Sequence, residues 1–376
     1  ILRIFFIIKI LMKFTVEKSN IINEFQSLAA VADKKQTLPI LSNILIRCES
    51  EGVKMLSTDL EVELETTIQG ANIIAPGETT IPAKKAADII RELPEGQVSF
   101  ELNEESSKLT VKSSSGRYNL ATIPGSDFPD FDVIKSDTIH PVSTEKLLEL
   151  FHKTSFAMAN QDWRHYLNGC LFEKTESSLN MVATDAHRLS IYKSSLDSIG
   201  NFSGIIPRKT VVELMKILPK QNDDIQFYIN ANNIVFMSKN FTFKSKLIDG
   251  NYPNYNQVVP QGDGIKITFN RKNMLDSLSR VSVLTSEKFK GVKLKSENGV
   301  LDVSAHNPDQ ESAEEKLDVT GDNSQFDIAF NVNYLKEVLS TIEDEEISLV
   351  SFGSDKSALV QSSDNKRVLV LVPLLL

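Results

Sequence analysis

The chain repeats itself, and this limits its fold more than any single motif does. "IPAKKAADIIRELP" (81–94) and "IPRKTVVELMKILP" (206–219) share an Ile-Pro start, a basic residue, a central acidic residue and a closing Leu-Pro. Their apolar positions fall at helical spacing. "FNVNYLKEVLSTIE" (330–343) keeps the apolar and acidic pattern without the prolines. Asp88, Glu213 and Glu337 correspond, giving a period of about 125 residues, the size of a domain rather than of a solenoid unit. A second series has the same period: "VEKSNIINEFQSLAAVA" (16–32), "VSTEKLLELFHKTSFAMA" (142–159) and "FNRKNMLDSLSRVSVL" (269–284). Each has a Ser-, Thr- or Asn-containing entry followed by an apolar stripe at i, i+3, i+4 and i+7.

Strand-like runs follow in the same order: "LSNILIRCE", "LNGCLFEK" and "FKGVKLKS", then "VKMLSTDLEVELE", "LNMVATDAHRLSIYK" and "LDVSAHNPDQESAEEKL". The fold class read from this is α+β: three similar domains, each with two helices packed on antiparallel sheets. Turn-rich "GSDFPDFDVIKSD" and "VVPQGDGIK" set the boundaries at 12–136, 137–264 and 265–376. "ILRIFFIIKIL" (1–11) is too short to span a bilayer and is read as a non-native or unstructured leader before Met12.

The formal charge of −9 argues mildly against nucleic acid, but its distribution does not. Basic residues gather on the repeated helices: Lys84, Lys85 and Arg91, then Arg208, Lys209 and Lys216, then Arg271, Lys272 and Arg280, with Lys34 and Lys35 after the first helix. Strands and loops hold the acidic surplus. Either these are solvated helix faces, or they form one phosphate-binding surface without base-reading side chains. Two cysteines, Cys48 and Cys170, form no framework and fit a cytoplasmic protein.

Enzymatic motifs are missing. The five histidines make no ligand set, and there is no Walker loop, Gly-x-Gly-x-x-Gly or Gly-x-Ser-x-Gly. No cofactor or metal is expected. In "VATDAHRLSIYK" (182–193), Asp185 and His187 form a conceivable base–orienter pair and leave a hydrolase as a rival reading. The first repeat has "STDLEVE" in this slot, with Thr58 and Asp59 but no histidine. Asp185 is therefore expected to be a turn residue that accepts backbone N–H bonds.

The ordered set "MKFTVEK", "TLPILSNIL", "IPAKKAADIIRELPEG", "SDFPDF", "QDWRHYLNGCLFE", "VATDAHRLS", "IIPRKTVVELMKIL", "KLIDGNYPNY", "SEKFKGVKL" and "NPDQESAEE" resembles the bacterial β sliding clamps, processivity subunits of the replicative DNA polymerase. The resemblance runs from Met12 to Leu376. It implies a non-catalytic, cytoplasmic, nucleoid-associated protein whose chains pair head to tail in a ring around duplex DNA. Lys35, Lys84, Arg91, Gln161, Arg208 and Lys209 are implied to face DNA. The dimer interface is implied to join Tyr118, Leu120, Lys112 and Arg117 of one chain to Val283, Leu284, Glu311, Glu314 and Glu315 of the other. A groove for short peptides of polymerase, clamp loader and repair factors is implied at Arg164, Tyr166, Leu167, Thr184, Ala186, His187, Arg188, Leu189, Pro253 and Val258. Val370, Leu371, Val372, Pro373 and Leu374 are implied to close that groove. The sequence departs from the family where Ala186 stands for a usual Gly, and where Gln257 and Leu375 replace frequent Arg. A monomeric, non-specific DNA-binding adaptor with the same domains remains the other alternative.

Overall fold

The computed structural model describes residues 10–33, 38–103, 107–129, 138–176, 178–195, 200–220, 224–286, 290–322 and 325–375. Lys34, Lys35 and the boundary at 136/137 lie outside them. The first strand starts at Ile10 and pairs it with Asn103, so the last two residues of the expected leader belong to a sheet.

Among the described residues six α-helices alternate with strands: α1 Ile22–Val31, α2 Ala83–Glu92, α3 Thr144–Thr154, α4 Arg208–Ile217, α5 Arg271–Val281 and α6 Val332–Ser340. They fall in pairs on the three repeats, as the period requires. The apolar stripe of each helix explains its burial. Leu147, Leu150 and Phe151 are buried on α3, and Met274, Leu278 and Val281 on α5. On α6 the buried set is Val332, Leu335, Val338 and Leu339. Asn270 and Asn331 cap α5 and α6 through their side chains, accepting from Asn273 N (3.1 Å) and Asn333 N (3.0 Å). α1 and α2 have no side-chain cap, although the sequence places Ser19 and Asn20 near the start of α1; those two lie in a separate 3-10 turn, Lys18–Asn20.

The chain divides into two compact units. One holds the described residues of Ile1–Thr144 with Val212–Leu247; the other holds Glu145–Val211 with Ile248–Leu376. The first unit contains a five-stranded sheet, Asn72–Ala75, Ile10–Glu17, Gln97–Asn103, Lys108–Lys112 and Arg117–Ala121 in spatial order. It also contains an eight-stranded sheet, ordered His140–Val142, Ile225–Ile229, Asn233–Met237, Phe241–Lys246, Val62–Ile68, Gly52–Thr58, Asn43–Glu49 and Gly77–Pro82. Phe14, Phe25 and Phe100 stack in its core, with ring centroids 4.7 and 5.9 Å apart.

The second unit has a nine-stranded sheet, ordered Phe202–Pro207, Gly169–Lys174, Leu179–Thr184, Arg188–Ser194, Arg367–Leu371, Ala358–Gln361, Glu346–Ser351, Ile265–Asn270 and Thr320–Gly321. Its second sheet has four strands, Ser312–Asp318, Val300–His306, Gly291–Glu297 and Phe326–Asn331. Every pairing among the described strands is antiparallel. Each large sheet joins strands of two successive repeats: Val62–Ile68 pairs with Phe241–Lys246, and Arg188–Ser194 with Arg367–Leu371. Among the described residues no helix is long and apolar enough to cross a membrane.

Candidate functional site

The turn Thr184–Arg188 is built by its own side chains. Ala186 N donates to Thr184 Oγ1 (3.0 Å), and Thr184 Oγ1 donates to the Arg188 carbonyl (2.6 Å). Asp185 Oδ1 accepts from the backbone N–H of His187 (2.9 Å) and Arg188 (3.0 Å). The first repeat makes the same bonds. Leu60 N donates to Thr58 Oγ1 (3.0 Å), Thr58 Oγ1 to the Val62 carbonyl (2.7 Å), and Glu61 N and Val62 N to Asp59 Oδ1 (3.0 and 2.9 Å). Both turns place their central residue in the left-handed region, Leu60 and Ala186 each at φ 73°.

The rest of Asp185 is also engaged. Its Oδ2 accepts from Arg188 Nε at 3.1 Å, which leaves this carboxylate committed to the turn. The imidazole of His187 stacks on Tyr334 of α6, with centroids 5.5 Å apart. Arg188 is 7% exposed. Its guanidinium bonds Glu337 of α6 and the Phe156 carbonyl (2.7 Å), and lies over the rings of Phe156 (5.3 Å) and Tyr334 (4.7 Å). Arg367 approaches the same Phe156 ring (5.6 Å) and bonds the carbonyls of Thr341 (2.8 Å) and Lys153 (2.9 Å). Burial lowers its pKa to about 10.

Strand alternation separates the residues the sequence groups together. Leu189 and Ile191 face an apolar cluster with Leu171, Val182, Ile205 and Val370. Half-buried Tyr166, Ile248, Tyr252, Tyr255, Val259, Leu359 and Val368 pack against it. Arg188 and Ser190 face the other way, where Ser190 Oγ donates to the Lys153 carbonyl (2.7 Å). Leu371 likewise packs with Leu369 in the core of the third repeat, not in the cluster. Of the residues expected in the groove wall, then, Leu189 and Val370 are buried in this apolar cluster, and Arg188 is a buried tie between the turn and α6. Leu167 is buried too, at 2% exposed, whereas Ala186, His187, Pro253 and Val258 are exposed. The last residues are fastened twice, Val372 N to the His187 carbonyl (2.9 Å) and Leu374 N to the Ala329 carbonyl (2.7 Å), with Pro373 between.

Sequence reasoning missed Tyr252, Tyr255, Tyr334 and Phe156. Only the aromatic pair in "GNYPNY" offered a signal. Tyr252 Oη reaches the Val182 carbonyl (3.4 Å) and Tyr255 Oη donates to Glu173 (2.6 Å), so both rings present apolar faces from fixed positions.

The basic residues are less free than their recurrence suggests. Lys84 is exposed on α2, beside a groove of about 620 Å³ between α1 and α2 that Arg91 also lines. Arg91 is itself shared between Asp88 (3.1 Å) and Glu92 (3.0 Å). Arg208 Nη1 donates to the Met158 carbonyl (3.2 Å), and Lys209 is half-buried. In the third repeat Arg271 Nε is held by the Asp344 carbonyl (2.9 Å), Lys272 pairs with Asp276 (2.6 Å), and Arg280 grips Glu315 through two bonds (2.5 and 2.6 Å). Gln161 is exposed at φ 59° on a loop whose Trp163 is 81% exposed. Arg164 clamps Asp162 (3.0 and 2.8 Å) and holds that carboxyl down at about 2.

Three family profiles match successive parts of the chain. They are the N-terminal, central and C-terminal domains of the DNA polymerase III beta subunit, at residues 12–132, 141–254 and 256–374. The chain belongs to the DNA polymerase III β subunit family. Its similarity to the beta sliding clamp of Pseudomonas aeruginosa is 37% identity over 356 residues, 94% of this chain and 97% of that one. With the beta sliding clamp of Escherichia coli K12 it is 35% over 363 residues, 96% and 99% of the two chains. The solved P. aeruginosa subunit has a TM-score of 0.91 at 36% identity, covering 97% of this chain and all of that one. A Bacillus subtilis sliding clamp scores 0.90 at 26% identity, covering 97% and 99%. Three clamp domains with helices on antiparallel sheets are thus established, and the function is that of a non-catalytic DNA sliding clamp in replication processivity. This removes the hydrolase reading, in agreement with the committed carboxylate of Asp185.

Of the remaining residues carried over from the clamp family, Arg117, Tyr118 and Leu120 lie on one edge strand and Glu314 and Glu315 on another. Arg117–Ala121 ends the five-stranded sheet and is paired, among the described residues, only with Lys108–Lys112. On it Tyr118 is 37% exposed and Leu120 is buried. Ser312–Asp318 ends the four-stranded sheet, paired, among the described residues, only with Val300–His306. In the 3-10 turn Ser282–Leu284 that follows α5, Val283 is 76% exposed and Leu284 is half-buried. Two of the expected charges already have partners within the chain, Glu315 with Arg280 and Lys112 with Glu101 (3.0 Å). Burial raises the Glu101 pKa, but Lys112 and Lys13 outweigh it and hold the carboxyl below its ordinary value. Glu311 accepts from Asn307 Nδ2 (2.6 Å), while Arg117 and Glu314 are exposed.

Proposed function

We propose that two chains close head to tail, with Arg117–Ala121 of one continuing the sheet that ends at Ser312–Asp318 of the other. The open edges carry this reading, because a long unpaired edge with an exposed aromatic beside it is a template for another strand. Tyr118 and Leu120 meet Val283 and Leu284, and Arg117 meets Glu314; Lys112, Glu311 and Glu315 exchange or share their present partners. The ring has three domains per chain, 12–136, 137–264 and 265–376, and works in the cytoplasm on nucleoid DNA. Lys35, Lys84, Arg91, Gln161, Arg208 and Lys209 face the duplex. Their contacts are few and independent of sequence, so retention comes from topology and sliding stays unhindered.

The apolar cluster around Leu189 and Val370, rimmed by Arg164, Tyr166, Thr184, Ala186, His187, Pro253, Val258 and Val372–Leu374, is the docking groove for short peptides of polymerase, clamp loader and repair factors. A P. aeruginosa clamp has been solved bound to griselimycin, which makes that molecule a suitable probe. The deciding experiment loads the protein on nicked circular DNA and then linearises it. A ring stays on the circle and leaves through the ends. Equal retention on both forms is the result that rejects the ring and supports a monomeric adaptor.

A further inference from the structure

Because the turns Thr58–Val62 and Thr184–Arg188 match bond for bond, the strands that follow them are in register: Glu63 corresponds to Leu189 and Glu65 to Ile191. The partner strands agree. Glu63 pairs with Lys244 where Leu189 pairs with Val370, and Glu65 pairs with Thr242 where Ile191 pairs with Val368. On the other side, Leu45 lies between Leu56 and Thr80, as Leu171 lies between Val182 and Ile205. The first repeat therefore has its own copy of the groove frame. It keeps a small apolar remnant of Leu45, Leu56 and Phe128 with Ile40 against them. Where the second repeat has Leu189 and Val370, it holds an ion pair: Glu63, 1% exposed, accepts from Lys244 Nζ at 2.7 Å.

An apolar side chain cannot settle there without displacing a buried carboxylate from its cation, the costly direction for such a pair. We propose that the Glu63–Lys244 pair is the specificity element that closes this second frame to apolar peptides and leaves each chain one docking groove. The inference rests on reading the Leu189–Val370 cluster as that groove.

The test exchanges the pairs between frames in the full-length chain and counts bound griselimycin by calorimetric titration. The unaltered chain takes one molecule. E63L/K244V takes two, with cooperative unfolding retained, because both members of the pair are replaced together. L189E/V370K takes none, and the quadruple variant takes one. A stoichiometry of one for E63L/K244V overturns the inference while the groove reading stands, whereas undiminished binding by a folded L189E/V370K overturns the groove reading and the inference together. Should L189E/V370K fail to fold, E63L/K244V decides alone. No binding to the unaltered chain takes down the groove reading and the inference with it.

Discussion

Leu60 and Ala186 hold the same left-handed backbone conformation, at φ 73°. This conformation costs an L-residue roughly 1–2 kcal/mol, while glycine costs about 0.5–1 kcal/mol through its freer unfolded chain. Ala186→Gly should therefore raise stability by about 0.5–1 kcal/mol in denaturant titration, without altering the packing of Leu189 and Val370. Asp185→Ala removes the carboxylate that accepts from two backbone N–H groups and from the Arg188 side chain, and should cost about 2–3 kcal/mol. The sequence alone identified this aspartate as scaffold, because the first repeat keeps Thr-Asp and drops the histidine. It could not separate Arg188 from Leu189, since which face a side chain takes depends on a partner strand far along the chain. At Cys170 burial pushes the thiol up to about 12, and burial also raises Cys48. Native protein at pH 8 should resist thiol-reactive dyes until it unfolds. The sign follows from linkage: the unfolded thiol ionises near 9 and the folded one does not, so stability falls as pH rises from 9 towards 12. Rapid labelling of native Cys170 would contradict its burial.

At the scale of elements, the helices were the easiest part to read, since each carries a stripe at i, i+3, i+4 and i+7 that needs no distant information. Basic residues on those helices were read correctly as recurrent but not as paired. Arg280 meets Glu315 across 35 positions of sequence, a contact that spacing along one helix does not reveal. The sheet edges matter most for the proposed assembly. Val283, largely exposed, makes little contribution within the chain, so Val283→Asp should leave monomer stability within about 0.5 kcal/mol. In the proposed interface the same change buries an unpaired charge. It should weaken association by about 2 kcal/mol or more, roughly thirtyfold, and Tyr118→Asp should do the same. Sedimentation velocity across a dilution series measures the shift. An unchanged dimer in both variants would show that these edges do not meet.

For the whole molecule, the three sequence repeats and the two compact units do not coincide. The middle repeat is divided, with Val212–Leu247 in one unit and Glu145–Val211 in the other. The reason is strand pairing across repeat boundaries. Phe241–Lys246 pairs with Val62–Ile68, and Arg188–Ser194 pairs with Arg367–Leu371, each through five positions. A periodic sequence marks where domains recur, but not that their sheets fuse, because the pairing residues lie some 180 positions apart, as Glu63 and Lys244 do. Fusion has a consequence for fragments. The middle repeat expressed alone, 137–264, bares the Phe241–Lys246 and Arg188–Ser194 edges at once, and Phe243, Leu189 and Ile191 lose their cover. That fragment should aggregate, whereas 12–264 keeps the eight-stranded sheet and bares only the second edge. In amide exchange, Phe241–Lys246 should be as protected in 12–264 as in the whole chain, while Arg188–Ser194 exchanges freely. A monomeric, fully protected 137–264 would mean that the cross-repeat ladders add little stability, and that the repeats fold as three separate bodies.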